Sequence, residues 1–204
     1  MATVILHNVV SVDGFIAQHD DHPGPLFDWY FNGDHQLVAG QMADPEPGGM
    51  RVSKASFDYV RALWDELGAM VIGRHLFDFI DGWGGRPPAG DHVVVVSHRP
   101  KPPGWHPDAP YHFIDDVTKA VRLAQELAGD RSVQIAAGDV GGQALTLGLV
   151  DEVAMDVAPV VLGSGKRFFG SIEDQHLLAD PHTVIQGDRV LHLRYRLQQP
   201  PETT

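Results

Sequence analysis

The order of apolar and polar positions separates two kinds of element. Thr3 to Val10 is β-branched and mostly apolar, the pattern of a strand covered on both faces, and Ala69 to Ile72, Val93 to Ser97, Val133 to Ala137 and Val153 to Val157 repeat it. Near the C-terminus Leu191, Leu193, Tyr195 and Leu197 alternate with His192, Arg194 and Arg196, which predicts a half-exposed strand; Gln186 to Asp188 ahead of it reads as a hairpin turn. Between the strands, Phe57, Val60, Leu63, Trp64 and Leu67 recur at helical spacing, with Gly68 as the stop. A second helix has Asp115 or Asp116 as N-cap, Val117, Val121, Ala124 and Leu127 on its apolar face, and Gly129 beyond its end. A third, shorter helix is expected from about Gly141 to Leu147, closed by Gly148.

Strands alternating with helices predict an α/β sandwich around a largely parallel sheet, finished by an antiparallel C-terminal hairpin. Sheets of this kind bind ligands at the C-terminal ends of their strands, so the residues that leave each strand are the place to look for function. One segment stands apart: Gln18 to Ser53 contains HDDHPGP, FDWYFNGD and ADPEPGG, a long irregular excursion. Its aromatic cluster, Phe27, Trp29, Tyr30 and Phe31, favours an ordered flap over the site or an intersubunit contact.

Composition narrows the picture. At 204 residues and 43% hydrophobic content the chain suits one well-buried domain over 1–204. Its 27 acidic residues against 15 Lys plus Arg give a formal charge of -12, a field that repels nucleic acid and anionic membranes. There is no cysteine, which excludes disulfides, thiolate nucleophiles and cysteine-bound zinc, and fits a cytoplasmic location. MATVILHNVV has no basic segment ahead of its apolar run, and no apolar stretch reaches membrane length.

The strand exits carry the candidate chemistry. Ala69 to Ile72 leaves through Gly73 and Arg74: a glycine allows close backbone approach and a guanidinium can grip phosphate as a fork, or the pair is a tight turn with a solvated Arg. Val93 to Val96 leaves through Ser97, His98 and Arg99, a compact donor set for a dianionic phosphate with planar groups on which adenine can stack, or a polar loop before Pro100. Val133 to Ala137 leaves through GDVGGQAL, where glycines at a strand-to-helix turn let helix N-terminal amides reach a pyrophosphate. Its spacing is neither GxGxxG nor a P-loop, and Asp139 suits phosphate only if it points away or caps the helix. After Val153, PVVLGSGKRFF brackets Ser164 between Gly163 and Gly165 and brings Lys166 next to Arg167, either a ligand wall or a loop with two solvated cations. Together these exits favour a dinucleotide carrying an additional phosphate.

The series SVDGFIA, AMVIGRHLF, VVVVSHRP, AAGDVGGQAL, GLVDEVAMDVAPVVLGSGKRFF and HLRYRL resembles the dihydrofolate reductase-like superfamily. It is most similar to the branch that holds the reductase domain of the bifunctional riboflavin biosynthesis deaminase/reductase and its stand-alone relatives. The resemblance implies a three-layer α/β/α fold, an NADPH-dependent reductase and a homodimer acting on a small molecule. It implies that Gly73 and Arg74 meet the cofactor phosphates, and that Ser97, His98 and Arg99 receive the 2'-phosphate and adenine. Ala137, Gly138, Asp139, Val140 and Gly141 would form the turn under the pyrophosphate, with Gln143 on the helix behind. Val10, Gly14 and Ile16 then fall at the nicotinamide end, and Ser11, Trp29, Gly163 and Gly165 on the substrate side. Two positions depart from the family pattern: Leu76 stands where a threonine is usual, and Ala137 replaces the first of two glycines. The carboxylate with which dihydrofolate reductases hold a pterin has no clear counterpart, although Asp58 lies near the start of the first long helix.

Hydride transfer asks the protein to position the ring and exclude water, and it can also require a proton donor. Asp13, leaving the first strand, is the acidic candidate; its alternative is an Asp-Gly turn held by an Asx hydrogen bond. No metal is expected, because His19, Asp20, Asp21 and His22 are adjacent in a Pro/Gly loop and no established ligand spacing occurs among the 12 histidines. No GxSxG elbow supports a serine hydrolase. A non-catalytic nucleotide or small-molecule binder on the same fold is the alternative from another class.

Overall fold

The computed structural model describes residues 2–38 and 49–198. In chain order the elements are β1 (Val4–Ser11), β2 (Phe15–Ala17), a 3-10 helix (Gly24–Phe31), β3 (His35–Gln36), β4 (Arg51–Val52), α1 (Lys54–Asp65), β5 (Leu67–Gly73) and α2 (Arg74–Phe79). After a second 3-10 turn come β6 (His92–Val96), β7 (Tyr111–Ile114), α3 (Val117–Ala128), β8 (Ser132–Ala136), α4 (Asp139–Thr146), β9 (Glu152–Ala158), β10 (Lys166–Arg167), β11 (Thr183–Gly187) and β12 (Val190–Arg196).

The main sheet has eight strands in the order β11-β12-β9-β1-β8-β5-β6-β7. From β9 to β7 every pairing is parallel, and β12 is antiparallel to both β9 and β11. Alternation along the strands assigns the two faces. Val4, Leu6 and Val10 of β1, with Ala69 and Val71 of β5, pack with α3 and α4. Ile5 and Val9 of β1 face α1 and the first 3-10 helix, while Met70 and Ile72 of β5 join Phe77 of α2. Helices thus cover both faces, which explains why the central strands read as continuous apolar runs.

The predicted five strands and C-terminal hairpin are present, and three boundaries differ. The first long helix ends at Asp65, and Leu67 and Gly68 belong to β5. Gly68 is no helix stop: a Cβ there would fall 2.6 Å from Ala128 Cα, where the end of α3 presses on the strand. The third helix starts at Asp139, earlier than expected, because Gly141 and Gly142 lie inside it and give the clearance it needs against Leu6 and the Phe169 carbonyl. The hairpin reverses at Asp188 and Arg189, one step beyond the predicted turn, since Gln186 and Gly187 still pair in β11. The sequence pattern does not predict β7 or α2: YHFI is only four residues long and shows no alternation, and RHLF follows the strand exit at Gly73 without a helical repeat.

The described residues of the excursion form the 3-10 helix and the β3–β4 pair. Residues 39–48, which include most of ADPEPGG, lie outside the described residues. Trp29 is buried, stacked on Tyr30 at 3.9 Å between centroids, and so anchors the 3-10 helix in the core; Phe31 stays exposed. No helix among the described residues is long and apolar enough to cross a membrane.

Candidate functional site

The parallel strands bring the exits of β1, β8, β5 and β6 to one edge of the sheet. Arg74 is the first residue of α2, and its guanidinium is heavily committed. Nε donates to Asp78 Oδ1 at 2.7 Å, and Nη1 donates to Ser97 Oγ (3.3 Å) and to the carbonyl of Pro100 (3.1 Å). It also packs against the rings of Phe77 and Phe113. Arg74 therefore ties α2 to the loop after β6. Arg99 Nη2 donates to the other oxygen of Asp78 at 2.7 Å. The Arg74 hydrogen bond, with that from Arg99, holds the Asp78 carboxyl below its ordinary range against a smaller opposing effect of burial. Ser97 shapes the same loop from inside: its hydroxyl donates to Arg99 O at 2.7 Å and accepts from Arg99 N–H at 3.0 Å.

This framework borders a cleft of about 430 Å³ into which Arg74, Ser97, His98, Arg99 and Gln143 converge from β6, α2 and α4. Those five residues come from three separate strand exits singled out in the sequence, and the fold unites them. Asp115 and Asp116 also line the cleft, which sequence reasoning missed because they were read only as capping candidates. Asp116 does cap α3, accepting from Lys119 N–H at 2.8 Å; both carboxylates are exposed, and Asp115 Oδ1 lies 3.9 Å from Lys119 Nζ.

Beside the cleft lies the turn from β8 into α4. Gly138 has φ 100°, a conformation that favours glycine, and the space above it is open, with Ile16 Cδ1 3.6 Å from a built Cβ. Its N–H donates to the Phe168 carbonyl at 2.7 Å; the first-turn amides that follow, at Asp139, Val140 and Gly141, have no partner within the helix, and that of Asp139 lies against Gly170. Gly141 itself is buried, with a built Cβ 2.4 Å from Leu6 Cδ1, so its glycine serves helix-on-sheet packing. The Asp139 carboxylate lies against Gly170. Val140 borders Gly73, whose built Cβ would be 3.2 Å from Val140 Cγ2. Ala137 is partly buried and packs against the core under α3 and α4.

The β1 exit forms a third group. Asp13 accepts from the Ser11 hydroxyl (2.6 Å) and from the amides of Leu162 (3.1 Å) and Gly163 (2.7 Å). The Ser11 hydrogen bond, aided by both amides, lowers the Asp13 pKa from the ordinary aspartate value. Ser11 is buried and also accepts from Phe15 N–H at 2.9 Å, while Gly14 has φ 88° in the turn. Gly165 lies against the Ala17 carbonyl, too close for any side chain. Val10 is fully buried in the core under α3 and α4, and Trp29 sits in the core under α1, so neither side chain joins the edge group.

A second polar constellation was missed altogether. Asp156 of β9, with no exposure, lies between His7 Nε2 of β1 (3.0 Å) and His192 Nδ1 of β12 (2.6 Å). His192 Nε2 is 3.0 Å from Ser56 Oγ of α1, and Trp29 and Tyr59 pack on the His192 ring. Three strands distant in sequence contribute these residues, so spacing carries no signal of them. Asp58, by contrast, is exposed and paired with Lys54.

The class defined so far is an α/β protein with a polar, partly cationic cleft at the C-terminal edge of a parallel sheet. The chain belongs to the RibD C-terminal domain family, a family of reductase domains, whose model matches residues 2–193. Among solved structures, a protein from Shewanella sp. PV-4 described as a putative riboflavin biosynthesis protein is similar at TM-score 0.65 and 17% identity, covering 98% of this chain and 100% of its own. Acinetobacter baumannii RibD matches at TM-score 0.61 and 17% identity over 98% of this chain but only 59% of its own length. A pyrimidine reductase-like protein from Corynebacterium diphtheriae matches at TM-score 0.59 and 15% identity, covering 98% and 93%. Among curated proteins none matches.

Proposed function

We propose that the chain is an NADPH-dependent reductase that delivers hydride to a small heterocyclic acceptor, of the pyrimidine or pterin kind, or to another small organic acceptor. The reaction class closest to this reading is the 5-amino-6-(5-phosphoribosylamino)uracil reductase step of riboflavin biosynthesis; that activity stands in the description of a Thermotoga maritima protein of similar fold. The observation that carries the reading is the convergence of Ser97, His98, Arg99, Arg74 and Gln143 on one cleft, next to the open turn at Gly138.

The donor set fits a phosphorylated dinucleotide. Arg99 is exposed and next to His98, which suits a 2'-phosphate, and the amides at the start of α4 suit a pyrophosphate. Arg74 acts as a positioning residue, since its Nε is engaged by Asp78 and its Nη1 by the Ser97–Pro100 loop. Bound NADPH supplies the hydride. The chain's own contribution is to orient it: Gly138 permits close approach, and Ile16 shields the β8 end from water. Asp13 holds the Leu162–Gly163 loop against the end of β1; as an ionised acceptor of three hydrogen bonds it is suited to shaping the turn and poorly suited to giving up a proton. Ser11, Gly163 and Gly165 border the acceptor side, and the chain functions as a homodimer of single domains.

Protection of the chain against thermal unfolding by NADPH, followed by NADPH oxidation across a panel of pyrimidines, pterins and simple imines, tests the reading. Binding with turnover supports a reductase. Binding with no turnover across the panel would favour the non-catalytic binder, and no binding would remove the NADPH-dependent reductase.

A further inference from the structure

Arg99 is a long, exposed side chain that is nevertheless held at both ends. Its backbone is fixed by Ser97, whose hydroxyl accepts from the Arg99 N–H at 3.0 Å and donates to the Arg99 carbonyl at 2.7 Å. Its guanidinium is fixed by Asp78, to whose Oδ2 the Nη2 group donates at 2.7 Å. The other carboxylate oxygen, Oδ1, accepts at 2.7 Å from Nε of Arg74, one helical turn back on α2. One carboxylate thus bridges two guanidiniums, each through a different oxygen.

The placement of Asp78 decides what the bridge can do. Arg74 and Arg99 line the cleft and Asp78 does not, so the carboxylate grips the pair from outside the ligand space. Its bond to Nη2 leaves the remaining N–H donors of the Arg99 guanidinium to other partners. Asp115 and Asp116, both exposed, line the same cleft from the start of α3. An Arg99 side chain free to turn has those carboxylates and solvent as alternatives, and a long side chain that must be immobilised on binding weakens the complex.

We propose that Asp78 is a positioning residue for the nucleotide's 2'-phosphate: it acts through Arg99, holding the guanidinium on the cleft wall before the ligand arrives, and so helps to set the preference for NADPH over NADH. The proposal rests on the cofactor reading above. At the side chain Arg99 is 65% and Asp78 40% exposed, so the pair is weak and the gain from it is a small factor in affinity. That gain is selective, because only a ligand that uses Arg99 draws on it.

Asp78→Asn separates this role from the hold on Arg74, since the amide keeps one oxygen for Arg74 Nε and turns toward Arg99 an amino group that cannot accept from it. Calorimetric titration of wild type, Asp78→Asn, Arg99→Ala and the double variant with NADPH and with NADH tests the proposal. Asp78→Asn should weaken NADPH about two- to fivefold and NADH less than about 1.5-fold, and should add nothing once Arg99 is gone. Removing the Asp78 charge would by itself favour a phosphate, so a loss in spite of it marks positioning. A gain in NADPH affinity would overturn the proposal by making Asp78 a competitor for Arg99. Unchanged affinity, an equal loss for NADH, or a loss that persists without Arg99 would overturn it as well. Wild type that binds neither nucleotide, or both alike, would overturn the cofactor reading and the proposal together, whereas a wild-type preference for NADPH that survives Asp78→Asn would overturn the proposal alone.

Discussion

His192 Nδ1 lies 2.6 Å from Asp156 Oδ1 in the interior between β12 and β9, with His7 on the carboxylate's other oxygen. Burial alone would raise the Asp156 pKa, but the charge and hydrogen bonds of His7 and His192 outweigh it and hold the carboxyl far below the usual range. A group with a depressed folded pKa contributes stability that is present above its unfolded value of ~3.9 and lost as pH falls toward the folded one. Acid unfolding of the wild-type chain should therefore begin below about pH 4. Asp156→Ala leaves two buried imidazoles without their acceptor and should cost about 3–5 kcal/mol in urea unfolding at neutral pH. A loss under 1 kcal/mol would show that the network contributes little.

Arg74 Nη1 bonds to Ser97 Oγ and to the Pro100 carbonyl while Nε holds Asp78. A lysine offers a point charge without the planar fork, so Arg74→Lys should loosen the loop after β6 almost as much as Arg74→Ala. Both should weaken NADPH binding about tenfold or more, the equivalent of one charge-assisted hydrogen bond. Full affinity in the lysine variant, measured by calorimetry, would make Arg74 a simple charge contact.

Asp13 accepts three hydrogen bonds and has a lowered pKa, so it stays ionised through the neutral range. Asp13→Asn should lower turnover by a similar factor at every pH from about 5 to 8 and leave NADPH affinity nearly intact. A basic limb in the wild-type rate profile that disappears in the variant would restore Asp13 as proton donor.

Gly141 and Gly138 serve the same turn in different ways. A methyl at Gly141 meets Leu6 and the Ala136 carbonyl, so Gly141→Ala should destabilise by about 1–3 kcal/mol through overpacking. At Gly138 there is room, but φ 100° disfavours a side chain, so Gly138→Ala should strain the turn by about 1–2 kcal/mol and weaken NADPH beyond what its stability loss explains. Equal effects on binding from the two would remove the distinction.

Legibility in the sequence followed the range of the forces involved. The central strands were readable because burial on both faces leaves continuous apolar runs, and the edge cleft was readable because parallel strands send all their exits one way. Gly68 was misread because a glycine that clears α3 looks, in sequence, like one that ends a helix. The resemblance puts Trp29 on the substrate side, yet its apolar ring is buried in the core under α1. His7, Asp156 and His192 could not be found, since their contacts depend on the strand order β1, β9, β12.

The central claim is that the Ser97–Arg99 cleft receives a dinucleotide bearing a 2'-phosphate, and calorimetric titration of wild type and Arg99→Ala with NADPH and with NADH tests it most directly. Wild type should bind NADPH at least about tenfold more tightly than NADH, and Arg99→Ala should lose most of that preference while binding NADH almost unchanged, because the charge-assisted contact is made only to the extra phosphate. Equal losses for the two nucleotides, or a wild-type preference for NADH with Asp115 taking the ribose hydroxyls, would contradict the account.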